Sequence, residues 1–177
     1  QPFPPEAFQV SRRYEKGRSP MGLCSSMEEE SQVGEIYTPI TEQWTIGLPS
    51  NMGATNWGGV AVDAQRGLIA LPSNNLAYRT KLLDKSNAPS QLLETMGDVD
   101  RPIAERRAAY EAYRASFEIG DDVELGVQAG ADYAMARHVA FDPYLGLVPC
   151  GGFPLGEVMV IDINEQRQQW RRPHGNF

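Results

Sequence analysis

The chain has 177 residues, of which 41% are hydrophobic and 22% charged, the balance of a folded globular chain. Sixteen lysines and arginines against 23 aspartates and glutamates give a formal net charge of −7; this argues against a nucleic-acid partner, because phosphate neutralisation needs clustered basic side chains. No apolar run reaches the roughly 18 residues needed to cross a bilayer, and the 17 glycines and 13 prolines announce many turns.

Residues 1–35 read as an irregular arm with a Pro-rich head. Its opening, Gln1-Pro2-Phe3-Pro4-Pro5, reads as the middle of a longer polypeptide or a processed end. Within the arm, Ser25 is placed to cap a short helix over Ser25–Ser31, with Glu28 three residues on. The alternation of Gln43 to Leu48 predicts a half-buried strand. Trp57–Asp63 and Leu68–Leu71, joined by the turn Ala64-Gln65-Arg66-Gly67, predict an antiparallel hairpin, and Ala77–Leu83 a further strand.

A polar connection follows, with a turn of helix at Pro89–Met96. The strongest helix signal is Pro102–Glu118, with Pro102 in the first turn, Asp98 and Asp100 at the positive end and Gly120 at the stop. Ile103, Arg106, Tyr110, Tyr113 and Phe117 form one stripe, either a packing face or a docking face for another chain. Residues 121–156 read as loop. Glu157–Ile163 and Arg167–Arg171, joined through Asn164-Glu165-Gln166, predict a second hairpin laid out like the first. Two such hairpins with long decorated connections suggest blades of a propeller. Asp63 and Asp162 are placed to hold turn amides, and Trp170 to lay its ring on a neighbouring sheet, where the first hairpin has Leu71.

Chemistry-bearing motifs are few. Two cysteines and two histidines are too few for a self-contained metal site, and no G-x-S-x-G supports a nucleophile. Thr55-Asn56-Trp57-Gly58-Gly59 allows two readings. An Asn amide beside two glycines could address the carbonyl and carboxylate oxygens of a flat polar cofactor. The same residues also make a strand start with a buried Trp and a glycine bulge.

Gly34–Pro39, Leu48–Asp63, Asn74–Leu82, Leu147–Cys150 and the Asp162 to Trp170 element together resemble, in order and spacing, the PQQ-dependent quinoprotein dehydrogenases. The nearest branch is the membrane-bound glucose, glycerol/polyol and quinate dehydrogenases, and the resemblance is to the C-terminal part of the catalytic propeller. It implies a mainly β fold: about two blades of an eight-bladed propeller, with loop-rich connections and one inserted helix near 102–118. Residues 1–177 are then a segment of one propeller domain, with 36–83 a first blade region, 84–130 a polar and helical insertion, and 131–177 a loop and second blade hairpin.

The resemblance further implies the cofactor pyrroloquinoline quinone (PQQ) with Ca or Mg, oxidation of a sugar or polyol hydroxyl, and electron transfer through PQQ to ubiquinone. Asn56, Trp57 and Asn74 are the cofactor-binding candidates. The family's quinone-binding Asn after the second strand meets Pro72 here, and Leu155 stands where a Trp is common. The catalytic acid and metal ligands map to no residue of this chain. The expected partners are the remaining blades, on the same polypeptide or a complementary chain, and a membrane subunit carrying ubiquinone. The expected place is the periplasm, attached to the inner membrane through missing parts or a partner, and the isolated chain is expected to be inactive. Cys24 and Cys150 fall where this branch has cysteines and are read as a disulfide, with two buried free thiols as the alternative. The other functional reading is a non-catalytic, propeller-derived binding or assembly module.

Overall fold

The structure is a computed structural model that describes residues 13–33, 38–49, 53–56 and 58–175. In chain order its elements are α1 (Ser25–Glu29), β1 (Gln32–Val33), β2 (Thr45–Gly47), β3 (Ala61–Asp63), β4 (Leu68–Asn74), β5 (Tyr78–Asp84), α2 (Ser90–Gly97), α3 (Ile103–Arg114), β6 (Glu124–Gly126), β7 (Tyr133–Val139), β8 (Gly156–Asp162) and β9 (Arg167–His174). The strands form two open sheets, ordered β1-β2-β5-β7-β6 and β3-β4-β8-β9. This is a mainly β, partial propeller fold. Among the described residues, no helix is long and apolar enough to cross a membrane.

The chain divides into two compact units. The first comprises the described residues of Gln1–Thr38, Ile46–Arg79 and Val139–Phe177. It contains the whole four-stranded sheet, in which β4 pairs antiparallel with both β3 and β8, and β8 with β9. The two hairpins, which the sequence places in separate blade regions, are thus joined through β4 and β8 into one sheet. On one face of it Leu71, Met159 and Ile161 make a buried cluster with Ile69 against them. β9 is the outer strand; its Trp170 pairs with Val160 in register and is 45% exposed.

A second cluster of this unit gathers Tyr14, Cys24, Met27, Ile46, Ala77, Ala140 and Cys150. Cys24 and Cys150 are bonded, with their Cα atoms 5.7 Å apart and a sequence separation of 126. Glu28 of α1 is buried and accepts bonds from the Tyr14 hydroxyl, at 2.7 Å, and the Gly17 amide. Burial and the adjacent Glu28 carboxylate raise the Tyr14 pKa far above the ordinary phenol range. Lys16 Nζ donates to the carbonyls of Glu28 and Ser31, satisfying the end of α1. The predicted serine cap is not formed: Cys24 holds the cap position, and Ser25, already helical, donates its hydroxyl to the Gly22 carbonyl.

The second unit comprises Pro39–Thr45 and Thr80–His138. Its core is Tyr113, Leu125 and Ala134, with Leu92, Met96, Tyr110 and Phe117 packed against them. Tyr113 is fully buried and meets Phe117 edge-on, ring centroids 5.4 Å apart. The helical stripe is therefore a packing face over its C-terminal part, while Ile103 at its start is 81% exposed. α3 is shorter than the spacing predicts. It ends at Arg114, whose guanidinium donates to the carbonyls of Gly120 and Val123, so the following turn folds back under the helix end. The stretch predicted as loop contains two strands, β6 and β7, paired Glu124↔Arg137 through Gly126↔Met135. Glycines and a proline around them mask the short alternating pattern.

β4 also runs past its predicted end, through Pro72 to Asn74. The Asn74 N–H donates to Ala54 O at 2.9 Å and the Pro72 carbonyl accepts Thr55 Oγ1 at 2.7 Å. Alternate residues of a strand turn their backbone groups the same way. Residue 72 therefore faces the 53–55 segment, not β8, and the N–H that proline lacks is not one the β4–β8 ladder uses.

Candidate functional site

The two hairpin turns at one end of the four-stranded sheet behave as the sequence predicts. Asp63 Oδ1 accepts the N–H groups of Gln65 and Arg66 at 3.1 and 3.0 Å, and Asp162 Oδ1 accepts that of Glu165 at 2.9 Å. These bonds stabilise the charged carboxylates and hold both pKa values below the ordinary Asp value, the Arg66 amide acting first at Asp63 and the Glu165 amide at Asp162. The turns are structural.

The opposite end of the sheet carries the candidate site. Across its last row Asn74 pairs with Gly156, and Gly156 with His174. The segment Gly53–Asn56 folds against β4 at this row. There Asn74 holds it with its backbone N–H and with its side-chain Nδ2, which donates to Gly53 O. A groove of about 340 Å³ opens between them, lined among others by Asn56, Gly58, Ser73, Asn74, Glu157 and His174. Asn56 and Asn74 are thus brought to one groove. Trp57 lies outside the described residues.

The two asparagines differ. Asn74 is engaged within the chain: besides Nδ2, its Oδ1 accepts the Leu76 N–H at 3.3 Å. Asn56 is exposed, and its carbonyl accepts the Gly59 N–H at 2.9 Å, closing a tight turn in which Gly59 has φ +73°. Gly156 is tightly enclosed, since a β-carbon there would stand 3.1 Å from Ser73 O and the strand would have to give by a few tenths of an ångström.

Beneath the groove lie polar groups without a local sequence signal. Asn75 is fully buried; its Nδ2 donates to Pro154 O and Glu157 Oε2, both at 3.2 Å, and its N–H to Leu155 O at 2.7 Å. Glu157, itself buried, lies 3.5 Å from Arg171. Among the described residues Asn75 Oδ1 and the hydroxyl of buried Ser73 have no hydrogen-bond partner, a state that costs about 1–3 kcal/mol per group unless a ligand or water fills it. The apolar run that signals β4 in the sequence ends at Leu71, so it gives no sign that Ser73 lies opposite Glu157.

A flat tricarboxylate quinone would require positive charge here. Among the described lining residues there is no lysine or arginine, while a carboxylate, Glu157, is present. Its described lining supplies the Asn56 amide and a histidine but no cation of the lysine or arginine type, and so does not by itself fit that group. No cluster of three or more His, Cys, Asp or Glu side chains able to hold a metal ion occurs among the described residues.

Comparison with known proteins gives the family. Residues 1–177 match the family model described as "PQQ: Glucose/ethanol/alcohol dehydrogenase, beta-propeller domain". The chain is 24% identical over 155 residues to a quinoprotein glucose dehydrogenase of Escherichia coli (strain K12), covering 86% of this chain and 17% of that protein. It is 26% identical to quinoprotein glucose dehydrogenase A of Acinetobacter calcoaceticus over 157 residues, covering 88% of this chain and 16% of that protein. It is also 26% identical to a quinoprotein glucose dehydrogenase of Gluconobacter oxydans (strain 621H) over 147 residues, 80% of this chain and 16% of that protein. The chain thus spans about a sixth of the length of these relatives. No solved structure matches. The family match over residues 1–177 gives the conclusion: this chain belongs to the PQQ-dependent glucose/ethanol/alcohol dehydrogenase β-propeller family.

Proposed function

We propose that this chain is part of a PQQ-dependent dehydrogenase that oxidises a sugar or polyol hydroxyl and passes the electrons through PQQ to ubiquinone. The match of residues 1–177 to the family carries this reading. The names of the three relatives, all quinoprotein glucose dehydrogenases, support a sugar-type substrate. In this proposal Asn56 gives one wall of the cofactor site an amide donor and acceptor, and the buried Glu157–Asn75 layer keeps that wall rigid. The catalytic acid, the Ca or Mg ligands and the cations for the cofactor carboxylates come from the remaining blades, so the isolated chain does not turn over substrate. The Cys24–Cys150 bond suits the periplasm, an oxidising compartment where such bonds persist, with attachment to the inner membrane through other parts or a partner subunit.

The test uses the complete polypeptide or assembly that carries this segment, loaded with PQQ and Ca²⁺, in a dye-reduction assay with glucose and with glycerol. Activity with either, reduced at least tenfold in PQQ affinity by Asn56→Ala, supports the proposal. A second reading, a non-catalytic binding or assembly module, is favoured by the self-satisfied Asn74 amide and by a groove whose described lining holds no lysine or arginine. Unchanged PQQ affinity in the Asn56→Ala assembly decides for that module.

A further inference from the structure

The second unit carries a groove that the dehydrogenase reading leaves without a role. It is about 500 Å³ in volume, inside the usual range of small-molecule sites. Leu93 and Met96 of α2, Ile103 at the start of α3, and Val127 after β6 give it apolar walls, while Arg106 and Arg107 bring two cations. We propose that this groove binds the anion of a long-chain carboxylic acid. The proposal is independent of the cofactor site.

Three observations point to that chemistry. The apolar wall is fixed in place, because Leu93 and Met96 also pack against the Tyr113 core. Ile103 nevertheless remains 81% exposed at the lip, so apolar surface is left for an occupant. The two arginines are unneutralised: in a chain of net charge −7, where Arg66, Arg79, Arg101, Arg137 and Arg171 all sit beside carboxylates, neither Arg106 nor Arg107 forms an ion pair among the described residues.

Arg106 is also anchored. Its Nε donates to Met96 O at 3.0 Å, and its other N–H donors are not used in that bond. A guanidinium held this way matches the two oxygens of a carboxylate. A free phosphate would leave the apolar walls unused, and a neutral lipid would leave both cations unused. A single anionic head on a saturated tail uses both features.

The test titrates laurate, below its micelle concentration, into the full chain by calorimetry and by ¹H–¹⁵N spectra. The expected result is saturable one-site binding with shifts at Leu93, Ile103 and Val127. Each fully buried methylene contributes about fourfold in affinity, so octanoate should bind at least tenfold more weakly. Dodecanol, which keeps the tail and loses the charge, should bind at least fivefold more weakly. Ile103→Asp and Arg107→Glu alter exposed side chains, so each should keep the circular dichroism spectrum and denaturation midpoint while weakening laurate at least tenfold. Equal affinity for laurate and dodecanol overturns the proposal, as does binding indifferent to both substitutions. Absence of saturable laurate binding overturns it too, and saturable binding of an acidic amphipathic peptide in that case assigns the groove to a polypeptide partner.

Discussion

Gly67 and Asn164, each in the turn of a different hairpin, stand so close that a β-carbon on residue 67 would lie 2.2 Å from Asn164 Nδ2. The Ile163 N–H donates to Gly67 O at 2.8 Å, so the two turns are bonded side by side at one end of the sheet. Gly67 also has φ +67°, a conformation that costs other residues about 1–2 kcal/mol. Gly67→Ala should therefore destabilise the chain by about 1–2 kcal/mol from the backbone alone. Asn164 must also swing away and lose its 3.4 Å bond to Arg66 O. Urea denaturation checks this, and in an Asn164→Ala background only the backbone part should remain.

The second turn repeats the geometry with a different residue. Gln166, four places after Asp162 as Gly67 is four after Asp63, has φ +51°. Gln166→Gly should relieve that strain and stabilise by about 0.5 kcal/mol, the net of left-handed cost and glycine's greater unfolded entropy. A denaturation midpoint shifted downward would show that the Gln side chain contributes more than its backbone costs.

Asp142 organises the loop after β7. Only 2% exposed, it accepts four backbone N–H groups, from Tyr144, Leu145, Leu147 and Val148, at 2.6 to 3.2 Å. These bonds, that of Val148 foremost, hold its pKa below the ordinary Asp value. Because the folded value lies below the unfolded one, the stabilisation is fully present above about pH 4 and is lost as pH falls through the depressed value. Asp142→Asn should flatten the acid limb of the stability profile and speed amide exchange at those four positions. An unchanged acid limb would show that another carboxylate governs it.

The Cys24–Cys150 bond closes a loop of 126 positions, which in the chain-entropy model stabilises by about 5 kcal/mol. Reduction, or Cys24→Ala with Cys150→Ala, should lower stability by a large part of that amount. Proteolysis within 14–31 should rise, since this segment meets the core around that bond. Limited proteolysis with and without reductant is the measurement.

Tyr113 offers a contrasting case. Its ring is fully buried, burial raises its pKa, and its hydroxyl has no partner among the described residues. Tyr113→Phe should be neutral or stabilise by up to about 1 kcal/mol, because an orphaned buried hydroxyl is removed. Tyr113→Ala should cost about 3–5 kcal/mol through the cavity it leaves. Thermal denaturation of the two variants separates the hydroxyl from the ring.

Much of the fold was legible where one local rule acts alone. Strands β4, β5 and β8 follow from short apolar or alternating runs bounded by turn residues. The turn roles of Asp63 and Asp162 follow from side-chain reach. β6 and β7 were not legible: each is bordered by glycines that read as loop, and their pairing becomes favourable only against the Tyr113 core.

The candidate site divides in the same way. By itself the sequence determined that an amide stands at Asn56 beside two glycines, the family resemblance and the cysteine positions, since these depend on residue type and order. Only the tertiary structure decided that β4 continues through Pro72 and sets Ser73 and Asn74 against β8. It likewise decided that Asn74 bonds its own chain while Asn75 meets Glu157, 82 positions away. The physical reason is that satisfaction of a buried polar group depends on which strand lies opposite, and strand pairing over such distances is set by the whole packed sheet.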